Sequence, residues 1–184
     1  MPLLAAGTAL VAWAGAKPEF DLRQTVLAQV QAVGVRSGKP TLNVGCPGER
    51  WLTYDDVSFD ACLDADPGRL QFCHARRPTL GDIRQLPFGT GEFGACLCSH
   101  VLEHLSSFSD VQRAVRELER TSDRVFILVP GHHLVAVISP EHHLWLEWRP
   151  GGYLVVNRHT GEQQFVSVRD PQPVTPGLVD GVAA

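Results

Sequence analysis

The chain has 184 residues, of which 44% are hydrophobic and 20% are charged, a composition typical of a globular protein. A chain of this length buries about 70% of its unfolded surface, enough for one domain with its own hydrophobic core. The formal net charge of −4 excludes a basic surface that would attract nucleic acid non-specifically, so no nucleic-acid partner is expected. The sequence has no internal repeat and no low-complexity tract, which excludes collagen, coiled coils and wholesale disorder.

The first sixteen residues carry no charge, and the first charged side chain is Lys17. As a helix, this segment would span about 24 Å, which is shorter than the hydrocarbon core of about 30 Å. Three interpretations stay open for residues 1–16: a marginal membrane anchor, a helix docked on a protein partner, or a helix of the domain itself. Lys17 and Arg23 follow the segment, so an anchor would leave the body in the cytoplasm, the expected location in each case.

A helix is predicted within residues 17–38, where Asp21 can cap it and Gly34 can end it. Its apolar residues fall on one side of the helix: Leu22, Val26, Leu27, Val30 and Val33.

Strands and helices alternate along the next part of the chain. Short apolar runs predict strands at residues 40–44, 58–63, 93–98 and 124–129. The last of these runs is continuously apolar, which is typical of the centre of a parallel sheet. Ser109 is predicted to cap the clearest helix, whose apolar positions have helical spacing: Val111, Ala114, Val115 and Leu118. The alternation predicts an α/β fold, a Rossmann-like, doubly wound and mostly parallel sheet.

The pattern changes after Pro130. Residues 153–157 and 164–168 read as two short strands joined by His159-Thr160-Gly161, which predicts an antiparallel hairpin at one edge of the sheet. Trp145 and Trp148 either wall a pocket or pack the hairpin onto the core, and we favour packing. The domain is expected to cover residues 39–170, with residues 171–184 forming a flexible tail.

The five cysteines predict reduced, buried thiols rather than a disulfide framework, because their number is odd and no CxxC pair occurs. They are Cys46, Cys62, Cys73, Cys96 and Cys98. Cys96 and Cys98 alternate on a predicted strand and therefore face one side of it, where packing is expected rather than zinc binding.

Three polar motifs follow predicted strands. The turn Asn43-Val44-Gly45-Cys46-Pro47-Gly48 would let a ligand approach the backbone closely, although an ordinary turn explains it equally well. Asp64 follows the second strand, about twenty residues later, where a carboxylate can accept hydrogen bonds from ribose hydroxyls or cap a helix. Asp82 could accept a hydrogen bond from an exocyclic amine, or be an acid of a surface loop.

The motifs NVGCPG, LDADP, GDIRQLPF, FGACLCSHVLEHL and RELERTSDRVFILVP occur in this order within residues 39–132. Together they resemble a class I S-adenosylmethionine-dependent methyltransferase of the small-molecule, type 11-like kind, here minimal and partly divergent. The resemblance implies S-adenosyl-L-methionine as cofactor and methyl transfer to a small, unidentified acceptor molecule.

The resemblance also implies roles for single residues. The glycine loop would lie against the methionine moiety, Asp64 would hold the ribose, and Asp82 would contact the adenine amine. Ala65 would lie under the adenine with Ile83 on the ring face, and the residues after the fourth strand would line the cofactor. The expected cofactor-binding residues are Asn43, Gly45, Cys46, Gly48, Asp64, Ala65, Asp82, Ile83, Ser99 and His100.

Two positions depart from the family pattern. Asn43 stands where an acid is usual, and Pro47 stands where a third glycine is common and removes a backbone N–H. An enzyme is the leading hypothesis. The alternative is a catalytically inactive, methyltransferase-like scaffold, or a membrane-associated assembly component that uses residues 1–16.

Histidines supply the remaining candidate chemistry. His132 and His133 follow the fifth strand, where either could be a general base for an acceptor hydroxyl or amine, or simply a solvated loop histidine. His100 and His104 also match the H-x-x-E-H pattern of inverted zincins. The methyltransferase interpretation explains the residues from His100 to His104 together with four other motifs, and we therefore predict no metal site.

Overall fold

Five parallel strands form the main sheet of the computed structural model, which describes residues 22–46, 59–131 and 139–170. Their order across the sheet is β3-β2-β1-β4-β5, and every neighbouring pair is parallel. The chain moves outward in opposite directions on either side of the β1–β4 pair, which makes this pair the topological switch point of the sheet. The strands are β1 (Thr41–Val44), β2 (Ala61–Asp64), β3 (Arg77–Leu80), β4 (Phe93–Ser99) and β5 (Ser122–Leu128).

Helices cover both faces of this sheet. Helix α1 spans residues 22–37, α2 is Pro67–Leu70, α3 is Phe108–Thr121, and a 3-10 turn covers Leu102–His104. Apolar residues of α1 pack with one set of strand side chains, and those of α3 pack with the set that points the other way. This arrangement confirms the predicted doubly wound α/β fold.

Helix α1 runs three residues past Gly34, the predicted terminator, and ends at Ser37. Gly38 follows with a φ of 65°, the left-handed conformation that commonly terminates helices. Gly34 is needed for a close contact instead, since a Cβ there would come 2.5 Å from Thr41 Cγ2. The prediction that Gly34 ends the helix was wrong, because the apolar pattern of α1 is compatible with a helix end at either glycine.

Helix α3 begins two residues earlier than predicted, because its N-cap is Ser107 rather than Ser109. The Ser107 hydroxyl accepts a hydrogen bond from the backbone N–H of Asp110 at 3.2 Å. The predicted apolar face is confirmed: Val111, Ala114, Val115 and Leu118 are all buried.

Strand β5 is the last strand of the described sheet rather than its centre. Its apolar run is nevertheless buried on both faces, since Val125 and Ile127 join the α3 side and Phe126 joins the α1 side. A continuous apolar run reports burial on two faces and does not fix the order of strands, so the predicted central position was wrong.

The antiparallel element is a three-stranded sheet of its own, which extends the predicted hairpin by one strand. Strand β6 is Leu144–Arg149, β7 is Gly152–Asn157 and β8 is Gln163–Ser167, in that order across the sheet. The Tyr153 hydroxyl donates a hydrogen bond to the Ile127 carbonyl at 3.0 Å, which ties this sheet to β5. Trp148 is partly buried against the same core, consistent with packing rather than a pocket wall.

The cysteines differ from the prediction at one pair. Cys46 and Cys62 form a disulfide that links the turn after β1 to strand β2, so the prediction of reduced thiols throughout was wrong. The turn that carries Cys46 follows β1, which pairs with β2, the strand of Cys62, and residue spacing alone does not reveal this adjacency. Cys96 and Cys98 are buried thiols in the core, as predicted, and burial raises the pKa of Cys96 to about 12.

Counting thiols tests this pairing. Without reductant, the unfolded protein is expected to present three reactive thiols, and five after reduction, as measured with a colorimetric disulfide reagent. In the folded protein, Cys96 and Cys98 are expected to stay unreactive, because burial leaves almost no thiolate at neutral pH. Five reactive thiols in the unfolded, unreduced protein would contradict the Cys46–Cys62 disulfide.

Among residues 22–46, 59–131 and 139–170, no helix is both long and apolar enough to cross a membrane. The predicted N-terminal segment at 1–16 and the predicted tail at 171–184 lie outside the described residues.

Candidate functional site

A pocket of about 470 Å³ opens at the carboxyl ends of β1 and β2 and beside the loops that follow β3 and β4. This edge, next to the switch point, is where open α/β sheets bind their ligands. Six of the ten predicted cofactor-binding residues line it: Gly45, Asp64, Ala65, Asp82, Ile83 and His100.

Gly45 forms the floor of the pocket in a conformation that favours glycine, with a φ of 92°. Its backbone N–H donates a hydrogen bond to the Leu63 carbonyl at 2.9 Å, which fixes the turn after β1. A Cβ at this position would come 2.5 Å from Val101 Cγ2 and 2.8 Å from the Ser99 carbonyl oxygen. The absence of a side chain therefore keeps open a cradle that any other residue would fill.

The Asp64 carboxylate joins the two turns on either side of the pocket. One oxygen accepts a hydrogen bond from the Cys46 backbone N–H at 2.8 Å, and the other accepts from the Asp66 N–H at 2.9 Å. A carboxylate offers about four lone-pair positions, so two acceptor positions remain for hydroxyl donors in the pocket. Asp66 also caps α2 by accepting from the Gly68 N–H.

Asp82 is held by an arginine that the sequence reasoning did not single out. Arg84 binds the Asp82 carboxylate through two of its nitrogens and reaches Asp110 of α3 at 3.3 Å. The hydrogen bond from Arg84 is the main cause of the lowered pKa of Asp82. The pocket therefore has a fixed negative charge at this end, with its guanidinium partner beside it.

The other predicted residues do not line the pocket. Asn43 is fully buried in the sheet, Cys46 is buried in its disulfide, and Ser99 is buried under Arg23, whose guanidinium donates to the hydroxyl at 2.7 Å. Gly48 and the candidate bases His132 and His133 lie outside the described residues.

Sequence reasoning assigned no cofactor role to several residues of the pocket wall. They are Val44, Leu63, Asp66, Arg69, Gly81, Arg84, Val101, His104, Leu105 and Glu141. His104 and Leu105 belong to the HVLEHL motif, so their place after β4 was a usable signal. Glu141 has no such signal, because its segment reaches the pocket only through the packing of the second sheet.

Helix α3 holds the loop that carries Asp82. Glu117 accepts a hydrogen bond from the Leu86 N–H at 2.8 Å, while Arg120 donates to the carbonyls of Leu86 and Phe88. Arg120 also pairs with Glu117 at 2.7 Å. The side chains of this clamp supply hydrogen-bond partners for backbone groups of an irregular loop, and so fix the end of the pocket at which Asp82 lies.

The clamp gives a testable pH dependence. Hydrogen bonding from Arg120 is the main reason that the pKa of Glu117 is lowered from its ordinary value of 4.5. A lowered folded-state pKa stabilises the protein above the unfolded-state value, and this stability is lost as pH falls through the folded-state value. Urea unfolding is expected to show that Glu117→Gln destabilises the protein at about pH 7, and that the difference from wild type shrinks at acidic pH. An equal difference at every pH would contradict the role of the carboxylate charge.

A family model described as a methyltransferase domain matches residues 42–124, the segment that contains the parallel sheet from β1 to the first residues of β5. This match supports the resemblance of that segment to the class I S-adenosylmethionine-dependent methyltransferase family. S-adenosyl-L-methionine is the cofactor of that family. The match covers the segment that carries Gly45, Asp64 and Asp82. Comparison with curated protein sequences gives no significant match.

Solved structures similar to this chain include two methyltransferases. One is CalS10, a SAM-bound amino pentose methyltransferase of calicheamicin biosynthesis from Micromonospora echinaspora, with 19% identity, a TM-score of 0.47 and coverage of 74% of this chain and 61% of that chain. The other is the N-methyltransferase NodS from Bradyrhizobium japonicum in complex with S-adenosyl-L-homocysteine, with 16% identity, a TM-score of 0.39 and coverage of 60% and 58%. The chain thus spans less than two thirds of the length of either protein.

Proposed function

We propose that this protein binds S-adenosyl-L-methionine in the pocket around Gly45 and transfers its methyl group to a small acceptor molecule. The observation that carries the proposal is the pocket itself, which brings Gly45, Asp64 and Asp82 together at the switch point of a parallel sheet. These residues lie far apart in the sequence. The family resemblance assigns all three to one ligand, and their meeting in one pocket supports that assignment.

The pocket residues fit the parts of this cofactor. Gly45 leaves room for the methionine moiety against the backbone, and the free acceptor positions of Asp64 suit the two ribose hydroxyls. The backbone N–H, Nε and Nη2 of Arg84 already donate to the Asp82 carboxylate, which leaves about one acceptor position for the adenine amine, beside the apolar surface of Ile83. We infer that Arg84 positions the Asp82 carboxylate for this contact.

The bound cofactor supplies a methyl group activated by its sulfonium. Its transfer would be an in-line displacement, in which the acceptor–carbon bond would form as the carbon–sulfur bond breaks, with the electron pair passing to sulfur and the acceptor's proton to solvent or to a base. Positioning supplies much of the rate of such a step. We place the acceptor beside His104, Leu105 and Glu141, which line the pocket apart from the residues assigned to ribose and adenine.

Calorimetric titration of the full chain with S-adenosyl-L-homocysteine tests the proposal. We expect binding in the wild type that weakens at least about tenfold in Asp64→Asn, because the loss of a charge-assisted hydrogen bond costs about 1.5–3 kcal/mol. The matched control is Asp60→Asn. Asp60 also accepts a backbone hydrogen bond from β1, at the Thr41 N–H, but lies at the opposite end of the same strands.

Equal loss of affinity in Asp60→Asn and Asp64→Asn would point to general destabilisation and remove the support for a ribose contact. Absence of binding by folded wild-type protein would favour the alternative, a methyltransferase-like scaffold without catalytic function. A binding wild type would justify a screen of small hydroxyl and amine acceptors, with production of S-adenosyl-L-homocysteine as the readout.

A further inference from the structure

Two imidazoles and a carboxylate converge beside the pocket. Ligand atoms of Glu103, His104 and His142 all lie within 4.8 Å of one another. The rings of His104 and His142 are nearly perpendicular, with centroids 4.9 Å apart. The three residues come from two distant segments, the 3-10 turn after β4 and the segment that leads into β6.

One ring nitrogen of His104 is engaged with the backbone, which leaves the other as the available ligand atom. Its Nδ1 lies 3.1 Å from the Glu141 carbonyl oxygen, which can only accept a hydrogen bond, so Nδ1 carries the proton. The lone pair is therefore on Nε2, and a backbone carbonyl on the other ring nitrogen is a typical partner of a metal-bound histidine.

Glu103 supplies a carboxylate that is only 1% exposed. A buried carboxylate must be compensated by paired charge, hydrogen bonds or a metal ion. The imidazole of His100 also lies beside this carboxylate, with its Nδ1 3.8 Å from Glu103 Oε1. The imidazoles of His100, His104 and His142 therefore all lie near the buried Glu103 carboxylate. Imidazoles and carboxylates are typical ligands of divalent transition metals.

The backbone around the cluster is fixed by its own contacts. The His143 N–H donates to the Glu103 carbonyl at 2.8 Å, which joins the two segments directly. The Arg158 guanidinium donates to the carbonyls of Ser139 and His142, and it lies over the Trp145 ring at 4.7 Å. The ligand-bearing segments are therefore held together by contacts that do not involve the three ligand side chains.

We propose that Glu103, His104 and His142 bind a first-row divalent metal ion. Two histidines and one glutamate form a ligand set of zinc enzymes, with further positions open to water or substrate, so Zn²⁺ is the best match. The set differs from the H-x-x-E-H pattern: it uses Glu103 as a ligand and His142 in place of His100. Metal binding itself needs no cofactor and so does not depend on the proposed methyl transfer.

The position of the cluster indicates the class of ligand that such an ion would take. His104 lines the pocket wall on the side assigned to the acceptor, and an ion bound there would act as a Lewis acid toward an acceptor oxygen. This role rests on the proposed function, whereas the metal site does not.

The test is a titration of the full, unreduced chain with Co²⁺, whose visible absorption reports its ligands, followed by displacement with Zn²⁺. We expect one equivalent of Co²⁺ to bind without a thiolate charge-transfer band, which distinguishes this site from the cluster of Cys46, Cys62 and Cys73. Affinity should fall at least about tenfold in His104→Gln and in His142→Gln, since even loss of an outer partner costs about 10–100-fold. The matched control is His143→Gln, the neighbouring histidine outside the ligand set, which should bind Co²⁺ as wild type does.

Three results would overturn the site: no Co²⁺ binding by folded wild type, equal binding by all variants, or an equal loss in His143→Gln. Circular dichroism of each variant verifies the fold, and Glu103→Gln gives a second, isosteric probe if a histidine variant does not fold. The S-adenosyl-L-homocysteine titration is run on the same samples without metal. Failure of cofactor binding alone contradicts the proposed function, and failure of Co²⁺ binding alone contradicts the metal site.

Discussion

Replacement of Gly45 by alanine is expected to lower the free energy of unfolding by about 2–5 kcal/mol and to abolish measurable S-adenosyl-L-homocysteine binding. The backbone contribution is about 1–2 kcal/mol, because φ is 92° and L-residues with a Cβ disfavour this region. The added methyl group would also lie 2.8 Å from the Ser99 carbonyl oxygen, and overpacking of this kind costs about 1–3 kcal/mol. Urea unfolding and calorimetric titration measure the two effects.

Gly38→Ala is the matched control for this substitution. Gly38 has a φ of 65°, but a Cβ there would meet no atom within 4 Å. It should therefore show the backbone contribution of about 1–2 kcal/mol and no change in ligand affinity. If Gly45→Ala were no more destabilising than Gly38→Ala and bound ligand normally, the close approach at the pocket floor would be refuted.

Phe93→Ala is expected to destabilise the protein by about 3–5 kcal/mol, the usual effect of removing a fully buried aromatic side chain. Phe93 begins β4 with 0% exposure and packs perpendicular to Phe88, with ring centroids 5.0 Å apart. The Arg77 guanidinium lies over both rings. For a chain of this size the melting temperature should fall by about 6–20 °C, measured by differential scanning calorimetry.

Phe165→Ala provides the comparison on an exposed strand. Phe165 is 47% exposed in β8, so its removal should cost below about 1 kcal/mol. Comparing the loss of stability in Phe93→Ala with that in Phe165→Ala separates the contribution of core packing from the general effect of removing an aromatic side chain from a strand. Similar melting temperatures for the two variants would contradict the burial of Phe93 at the start of β4.

The sequence determined the local elements of the protein and the order of its motifs. Helix α3 illustrates this: Val111, Ala114, Val115 and Leu118 have helical spacing, and all four are buried. The family resemblance assigned Gly45, Asp64 and Asp82 to one ligand, and all three line one pocket at the carboxyl edge of the parallel sheet.

The ends of the helices and the order of the strands were harder to predict. The hydrophobic pattern of the sequence indicates which residues are buried, but not which elements lie next to one another. The apolar run of β5 is buried on two faces, and yet β5 is last in the order of the described strands. Likewise, Gly34 and Gly38 are both acceptable helix ends in sequence, and only the contact with Thr41 explains why Gly34 lies inside α1.

The tertiary structure alone decided which distant side chains meet. The Cys46–Cys62 disulfide follows from the pairing of β1 with β2, and the contact of Arg84 with Asp110 follows from the docking of α3 on the sheet. The second sheet brings His142 to Glu103 and His104, although nearly forty residues separate these segments. Periodicity and motif spacing encode which face of an element is buried, whereas such long-range contacts depend on how the elements pack, and this is the physical reason that they became visible only in the folded structure.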